Sequence, residues 1–372
     1  MDAKLLRDPG FWADDRPLAP AGFAGGLPEL EELAGQVLFE SSGSSGPPKW
    51  LALSKEALLL SAAAVNAHLR VTADSCWGLA LPWYHVGGFG VLARAFEAGC
   101  RYRTFEPRWQ AAGFRDWLVK HEVTHTSLVP AQVHDLTASG VAAPPALRAV
   151  VVGGGRLAGE AGRSARALGW PVLASYGMTE AGSQIATQGL ELLEKSYEPA
   201  AFEVLPIWRV RADAVGRLEI AGPALFSGTL VHVGDEWRFE PRRGEWHVTA
   251  DRGAIADGRL TPLGRMDTAV KVLGELVDPE RIEEELLDGA RGGLRAGQFV
   301  VVAVPDARAE HRLVPVFEDA VPPRVIAAVL AEYHLRAPGF RRLQNPVRLP
   351  ALPRSPIGKI RRAELAEWIR KI

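Results

Sequence analysis

The chain has 372 residues, 47% of them hydrophobic and 23% charged, with a formal net charge of −1. That supply of apolar side chains excludes disorder as the default, and about twice the usual ~150-residue domain length points to two domains. Near-zero charge without a block of like charges leaves nothing to neutralise a phosphate backbone or an anionic lipid, so no nucleic acid and no membrane surface is expected as a partner.

The start, Met1 to Pro20, has no apolar h-region, and no apolar run reaches the ~18 residues a bilayer span needs. Cys76 and Cys100 lie far from any CxxC spacing, which suits a reducing, cytoplasmic compartment. Val37-Leu38-Phe39 reads as a strand and leads into a Ser/Gly loop, Ser41 to Lys49. Ser54 reads as an N-cap, with Leu58, Ala62, Val65 and Leu69 following at helical spacing, so the loop is expected to run from a strand towards a helix. Further on, Ala149-Val150-Val151-Val152 and Pro171-Val172-Leu173 alternate with a helical stretch at 158 to 168, the pattern of a mainly parallel, helix-covered sheet. Gly153-Gly154-Gly155 closes one strand at its carboxyl end, the edge where open α/β sheets collect ligands.

From about 207 to 262 regularly spaced glycines punctuate short strands, which predicts a β-rich subdomain. Beyond it a smaller α+β pattern predicts a strand near 269 to 273, a helix near 279 to 288, and strands at 298 to 304 and 312 to 317. The expected class is therefore α/β, with a large domain over 1–266 and a small α+β domain over 267–372.

Two local patterns carry competing readings. SSGSSG alone is the composition of a flexible linker, yet glycines between a strand and Lys49 also bring backbone N–H groups close to an anion, with hydroxyls and an ammonium as further donors. The Walker A spacing is absent. His121-Glu122-Val123-Thr124-His125 fits the zinc-protease H-E-x-x-H pattern. The β-branched run that follows, ending in Pro130, predicts a helix-to-strand turn that keeps the two imidazoles off a common face.

Four segments follow the loop in order: Ser175-Tyr176-Gly177-Met178-Thr179-Glu180, Trp246-His247-Val248-Thr249-Ala250-Asp251, Gly264-Arg265-Met266-Asp267, and Pro353-Arg354-Ser355-Pro356-Ile357-Gly358-Lys359-Ile360-Arg361. Together with the loop they resemble the adenylate-forming superfamily of acyl-CoA synthetases, luciferases and peptide-synthetase adenylation domains, from residue 37 to 372. The resemblance implies an AMP-forming ligase that uses ATP, Mg²⁺ and coenzyme A, with a small mobile C-terminal lid. It implies that Ser41, Ser42, Gly43, Ser44, Ser45, Gly46 and Lys49 hold the β- and γ-phosphates and that Tyr176 lies against adenine. Gly153, Gly154 and Gly155 line the adenine and acyl pocket. Thr179 touches the α-phosphate, and Glu180 helps hold Mg²⁺. Asp251 and Arg265 contact the ribose, Asp267 is the hinge, and Lys359 is the catalytic lysine. Read alone, these positions equally suit core packing for Tyr176, a solvated glutamate, a surface Asp–Arg pair and an exposed lysine.

Leu81-Pro82-Trp83-Tyr84-His85-Val86-Gly87-Gly88 with Arg94, Thr124 to Pro130, and Gly182-Ser183-Gln184-Ile185 look most like the o-succinylbenzoate-CoA ligases of menaquinone biosynthesis. That resemblance implies His85 near the acyl carbonyl, Gly177 against the substrate, and Arg94 facing the spare carboxylate of a dicarboxylic acid. A core histidine and a helix-surface arginine are the plain alternatives. Another aryl or short-chain acid, or a non-catalytic nucleotide-binding relative, also fits. Only 40 residues precede the loop, which predicts a reduced N-terminal subdomain and a more open acyl pocket. Ser45 stands where threonine is commoner in the family and keeps the hydroxyl.

Overall fold

The computed structural model describes residues 3–41, 49–199, 202–234, 236–266, 268–290, 293–354 and 360–371; the side chains of Ser41 and Leu276 are also outside that set. In chain order come α1 (Pro9–Ala13), β1 (Gln36–Ser41), β2 (Lys49–Ser54), α2 (Lys55–His68), β3 (Cys76–Leu79), α3 (Val86–Glu97) and β4 (Arg101–Thr104). Then follow α4 (Ala111–Lys120), β5 (His125–Leu128), α5 (Pro130–Ala138), β6 (Ala149–Val152), α6 (Gly159–Ala167) and β7 (Val172–Met178). The β-rich stretch holds β8 (Ser183–Thr187), β9 (Phe202–Val204), β10 (Arg209–Ala212), β11 (Arg217–Ala221), β12 (Gly228–Val233), β13 (Glu236–Pro241), β14 (His247–Ala256) and β15 (Arg259–Arg265). The last region holds β16 (Val270–Val272), β17 (Glu275–Val277), α7 (Pro279–Gly289), β18 (Phe299–Asp306), β19 (Glu310–Glu318), α8 (Pro323–Arg336), β20 (Val347–Leu349) and α9 (Arg362–Arg370).

The expected parallel core is β7-β6-β5-β3-β4, one half of an eleven-stranded sheet that continues through β8, β9, β15, β14, β11 and β10. Each of β3, β5 and β6 is buried along its whole length, as strands covered on both faces must be. Side chains alternate accordingly. Ala149 and Val151 pack with Leu58, Val65 and Leu92 of α2 and α3, whereas Val150 and Val152 pack with Phe114, Val133 and Ala165 of α4, α5 and α6. Truncating such a buried valine to alanine costs ~1–3 kcal/mol through lost burial and the hole left behind.

The Ser/Gly loop does not run into a helix. It joins β1 to β2, which pair antiparallel from Gln36↔Ser54 to Ser41↔Lys49, and β12 and β13 complete that four-stranded sheet. The expected N-cap is real but one strand later: Ser54 accepts from the Ala57 N–H at 3.0 Å and starts α2. Leu51, Leu53 and Ala52 made the segment ambiguous, because a short apolar run gives no period that separates strand from helix. The zinc-protease pattern is broken as expected, since His121 caps the end of α4 and His125 opens β5.

Residues before β1 are tied down by one buried cation. Lys55 Nζ donates to the Asp14 carbonyl at 2.8 Å and to Asp14 Oδ1 at 2.7 Å, and lies 4.3 Å from the Phe11 ring centroid. The Lys55 bond holds the Asp14 carboxyl down at about 2. After β15 the chain builds a separate three-stranded sheet, β18-β19-β20, with its own core around Ile282, Phe299, Phe317 and Leu330. Among the described residues no helix is long and apolar enough to cross a membrane.

Candidate functional site

The carboxyl ends of the parallel strands converge on one edge, the place such sheets bind ligands. His85 follows β3 as the N-cap of α3, Gly153 follows β6, and Thr179 and Glu180 form a 3-10 turn directly after β7. Gly154 has φ +74°, a conformation that glycine adopts without steric cost.

Tyr176 on β7 donates to Asp251 Oδ2 on β14 at 2.7 Å, although β8, β9 and β15 lie between these strands in the sheet order. Burial, with the Asp251 charge added, pushes the Tyr176 hydroxyl up, so it stays a neutral donor. Arg265, paired in register with Asp251 on β15, reaches Oδ1 at 3.4 Å. Thr249 fixes the turn: its hydroxyl donates to the Leu218 carbonyl at 2.8 Å and accepts the Asp251 N–H at 3.0 Å. The carboxylate is thus aimed from three directions, and each oxygen keeps acceptor capacity for a further hydroxyl.

Glu180 has no cationic partner within 4 Å among the described residues, and its backbone carbonyl accepts the Phe226 N–H at 2.8 Å. Next to it stands His247, a residue quoted in its motif but given no role by sequence reasoning. Burial holds His247 below its ordinary value, while the charges of Glu180 and Asp251 oppose that shift. Its ring packs edge-on to Phe226 at 5.2 Å. Glu180, His247 and Asp251 therefore share one wall. A carboxylate without a cationic partner among the described residues, on the same wall as Asp251, fits a divalent ion held jointly by one carboxylate and phosphate oxygens.

Arg94 is not on a helix surface. It is 2% exposed, with Nη2 donating to Ser183 Oγ at 3.0 Å, Nη1 to Ser127 Oγ at 3.4 Å, and the guanidinium 5.4 Å from the Trp77 ring. Its Nε is buried without a partner, and among the described residues no carboxylate pairs with it. Burial alone pushes this guanidinium down from the usual arginine value to about 9. Ser183 holds φ +133°, a strained position for an L-residue, to present its hydroxyl. Gly177 has a backbone reason to be glycine: a Cβ there would meet the Ser183 carbonyl oxygen at 1.7 Å. Ser127 lies within the Thr124 to Pro130 segment that carried the resemblance, but sequence reading gave it no role, because a serine inside a buried strand reads as ordinary filling.

His85 stands beside Tyr84, ring centroids 4.7 Å apart. Lys49 lies exposed at the loop's edge. Ser42, Gly43, Ser44, Ser45 and Gly46, together with Asp267, expected as the hinge, and Lys359, fall outside the described residues.

Residues 36–230 match the family described as AMP-binding enzyme. A probable 2-succinylbenzoate–CoA ligase of Mycobacterium tuberculosis is 31% identical over 348 residues, covering 88% of this chain and 83% of its own length. An Escherichia coli MenE structure with bound OSB-AMS superposes with a TM-score of 0.72 at 25% identity, over 90% of this chain and 69% of that one. The o-succinylbenzoate CoA synthetase of Bacillus subtilis, solved with the acyl-adenylate OSB-AMP, gives 0.75 at 24% identity over 88% and 68%, a likeness of fold.

Proposed function

This chain belongs to the AMP-binding enzyme family and is an AMP-forming acid–CoA ligase; from that premise we propose that it joins 2-succinylbenzoate to coenzyme A at the expense of ATP, in the cytoplasm, as a step of menaquinone biosynthesis. The observation that favours this acid over a monocarboxylate is Arg94, a buried guanidinium that lacks an anion of its own. A dicarboxylate brings one carboxylate to react and a second to complete that charge.

In this reading Ser41 to Lys49 embrace the terminal phosphates, Tyr176 and Gly153 to Gly155 bound the adenine, and Asp251 with Arg265 holds the ribose. Thr179 donates to the α-phosphate and Glu180 takes the magnesium ion. When bound, that ion supplies positive charge where two anions must meet. Lys359 adds a second cation to the same transition state, so that positioning and charge neutralisation carry the rate. His85 and Gly177 border the acyl group while Arg94 grips its far carboxylate. The region after Asp267 acts as a small lid that swings about this residue, clearing Lys359 before the thiol attacks. The experiment is a panel of carboxylic acids scored for acid-dependent pyrophosphate exchange and for CoA-thioester formation. 2-Succinylbenzoate is expected to lead the panel, and equal turnover of benzoate would remove the dicarboxylate reading.

A further inference from the structure

Where the edge of the large sheet meets the C-terminal region, a cavity of about 250 Å³ opens between the two. Its apolar part is Leu263 and Val277, and its polar wall is Arg252 of β14, Arg281 of α7, Arg341 beyond α8, and Asp278. At ~30 Å³ per water the volume holds roughly eight, enough for one or two phosphate groups with part of their hydration.

The charges in this wall do not balance. Arg341 Nη2 donates to Glu285 Oε1 at 2.8 Å and Arg281 Nε lies 3.8 Å from the same oxygen, so two guanidiniums share one carboxylate. Asp278 adds a second carboxylate to the wall and also caps α7 by accepting the Glu280 N–H at 2.9 Å, so three guanidiniums face two carboxylates and one positive charge is in excess. Its other oxygen presses on Gly264, where a Cβ would lie 2.0 Å away. The Arg252 side chain has neither a hydrogen bond nor an ion pair with any described residue, and its Nε is buried. A half-buried guanidinium without a counter-ion is unfavourable, and three guanidiniums around one space suit a tetrahedral dianion better than a monocarboxylate.

We propose that this junction cavity is a binding site for a phosphate-class oxyanion, which ties Arg252 on the sheet side to Arg281 and Arg341 on the C-terminal side. The anion bridges two regions whose described contacts include the Arg156–Glu284 ion pair at 2.5 Å and the Gly264–Asp278 approach. Its occupancy thereby sets how firmly the C-terminal region stays docked. The site does not depend on the ligase reading, although pyrophosphate released by such a reaction and free inorganic phosphate are the two sources that share its chemistry.

The test is isothermal titration of the full chain with inorganic phosphate and, separately, pyrophosphate, each with and without saturating AMP to fill the nucleotide pocket. One site is expected to persist under AMP, with its Kd raised about tenfold in Arg281→Ala and further in Arg281→Glu; the Arg281 side chain is exposed enough for both variants to fold. The tighter of the two anions identifies the source. No binding of either up to about 20 mM, or the same Kd in wild type and both variants, overturns the proposal. Failure of the nucleotide reading looks different: AMP then gives no heat while the Arg281-dependent site remains.

Discussion

The two walls of the candidate site are built on opposite principles. On the nucleotide side Asp251 already has both oxygens engaged, by Tyr176 at 2.7 Å and Arg265 at 3.4 Å, so the wall is preorganised before any ligand arrives. On the proposed acyl side Arg94 is nearly inaccessible, steadied by two serine hydroxyls and without a carboxylate partner among the described residues. A satisfied carboxylate costs little to keep ready, whereas an uncompensated buried cation is a standing cost that only the right acid offsets. In the proposed function the first wall would fix position and the second would select.

If that contrast is right, removing a group from each wall should fail in a different way. The largest effect is expected at the proposed catalytic lysine: Lys359→Ala should slow acyl-AMP formation by ~10³ or more while thioester formation from supplied acyl-AMP stays within a few-fold, as single-turnover assays of each half-reaction can measure. Equal loss of both halves would remove Lys359 from the adenylation step. Arg94→Ala comes next, with the KM for 2-succinylbenzoate rising ~10²-fold and the KM for ATP unchanged. The companion Arg94→Met should melt several degrees higher than wild type without substrate, because a buried unpaired charge has been replaced by apolar volume. A lower melting temperature would mean that Arg94 is structural.

Tyr176→Phe tests the preorganised wall and should do less, about tenfold in KM for ATP, with the KM for the acid untouched. The smallest effect is expected away from both walls, at Glu284, where burial outweighs the Arg156 partner and pushes the carboxyl up to about 7 from 4.5. Between those values the folded chain keeps a proton that the unfolded chain has lost, so stability is fullest below about 4.5 and falls as pH rises towards about 7. Glu284→Gln should match wild type near pH 5 and exceed it at pH 8 by ~1–3 kcal/mol, seen as a few degrees in melting temperature. Parallel pH profiles for the two proteins would contradict this.

Much of this was legible in the chain itself. The apolar quartet Ala149–Val152 gave a doubly covered strand and the glycine run after it the strand's end, because burial on both faces and the positive φ of Gly154 are matters of residue type. Ser54 gave an N-cap, and Thr124 to Pro130 broke the zinc pattern, since capping and β-branching act over a few residues. The segment Trp50–Leu53 was not legible as a strand: what makes it one is the partner β1 and the neighbour β12, and pairing is a property of two segments.

The roles depend still more on distance along the chain. Sequence named Tyr176 and Asp251 separately, yet only folding spans the 75 residues between them and makes one the donor to the other. Arg94 read equally well as a surface arginine, and its burial follows from Trp77, Ser127 and Ser183 closing over it from three other segments. The arginine-lined junction was invisible for the same reason, since Arg252, Arg281 and Arg341 share no local pattern. Local chemistry, set by neighbours within a turn or two, was fixed by the residues alone. Burial, charge balance and the meeting of distant groups were decided by tertiary packing, because each is a sum over contacts that no short stretch contains.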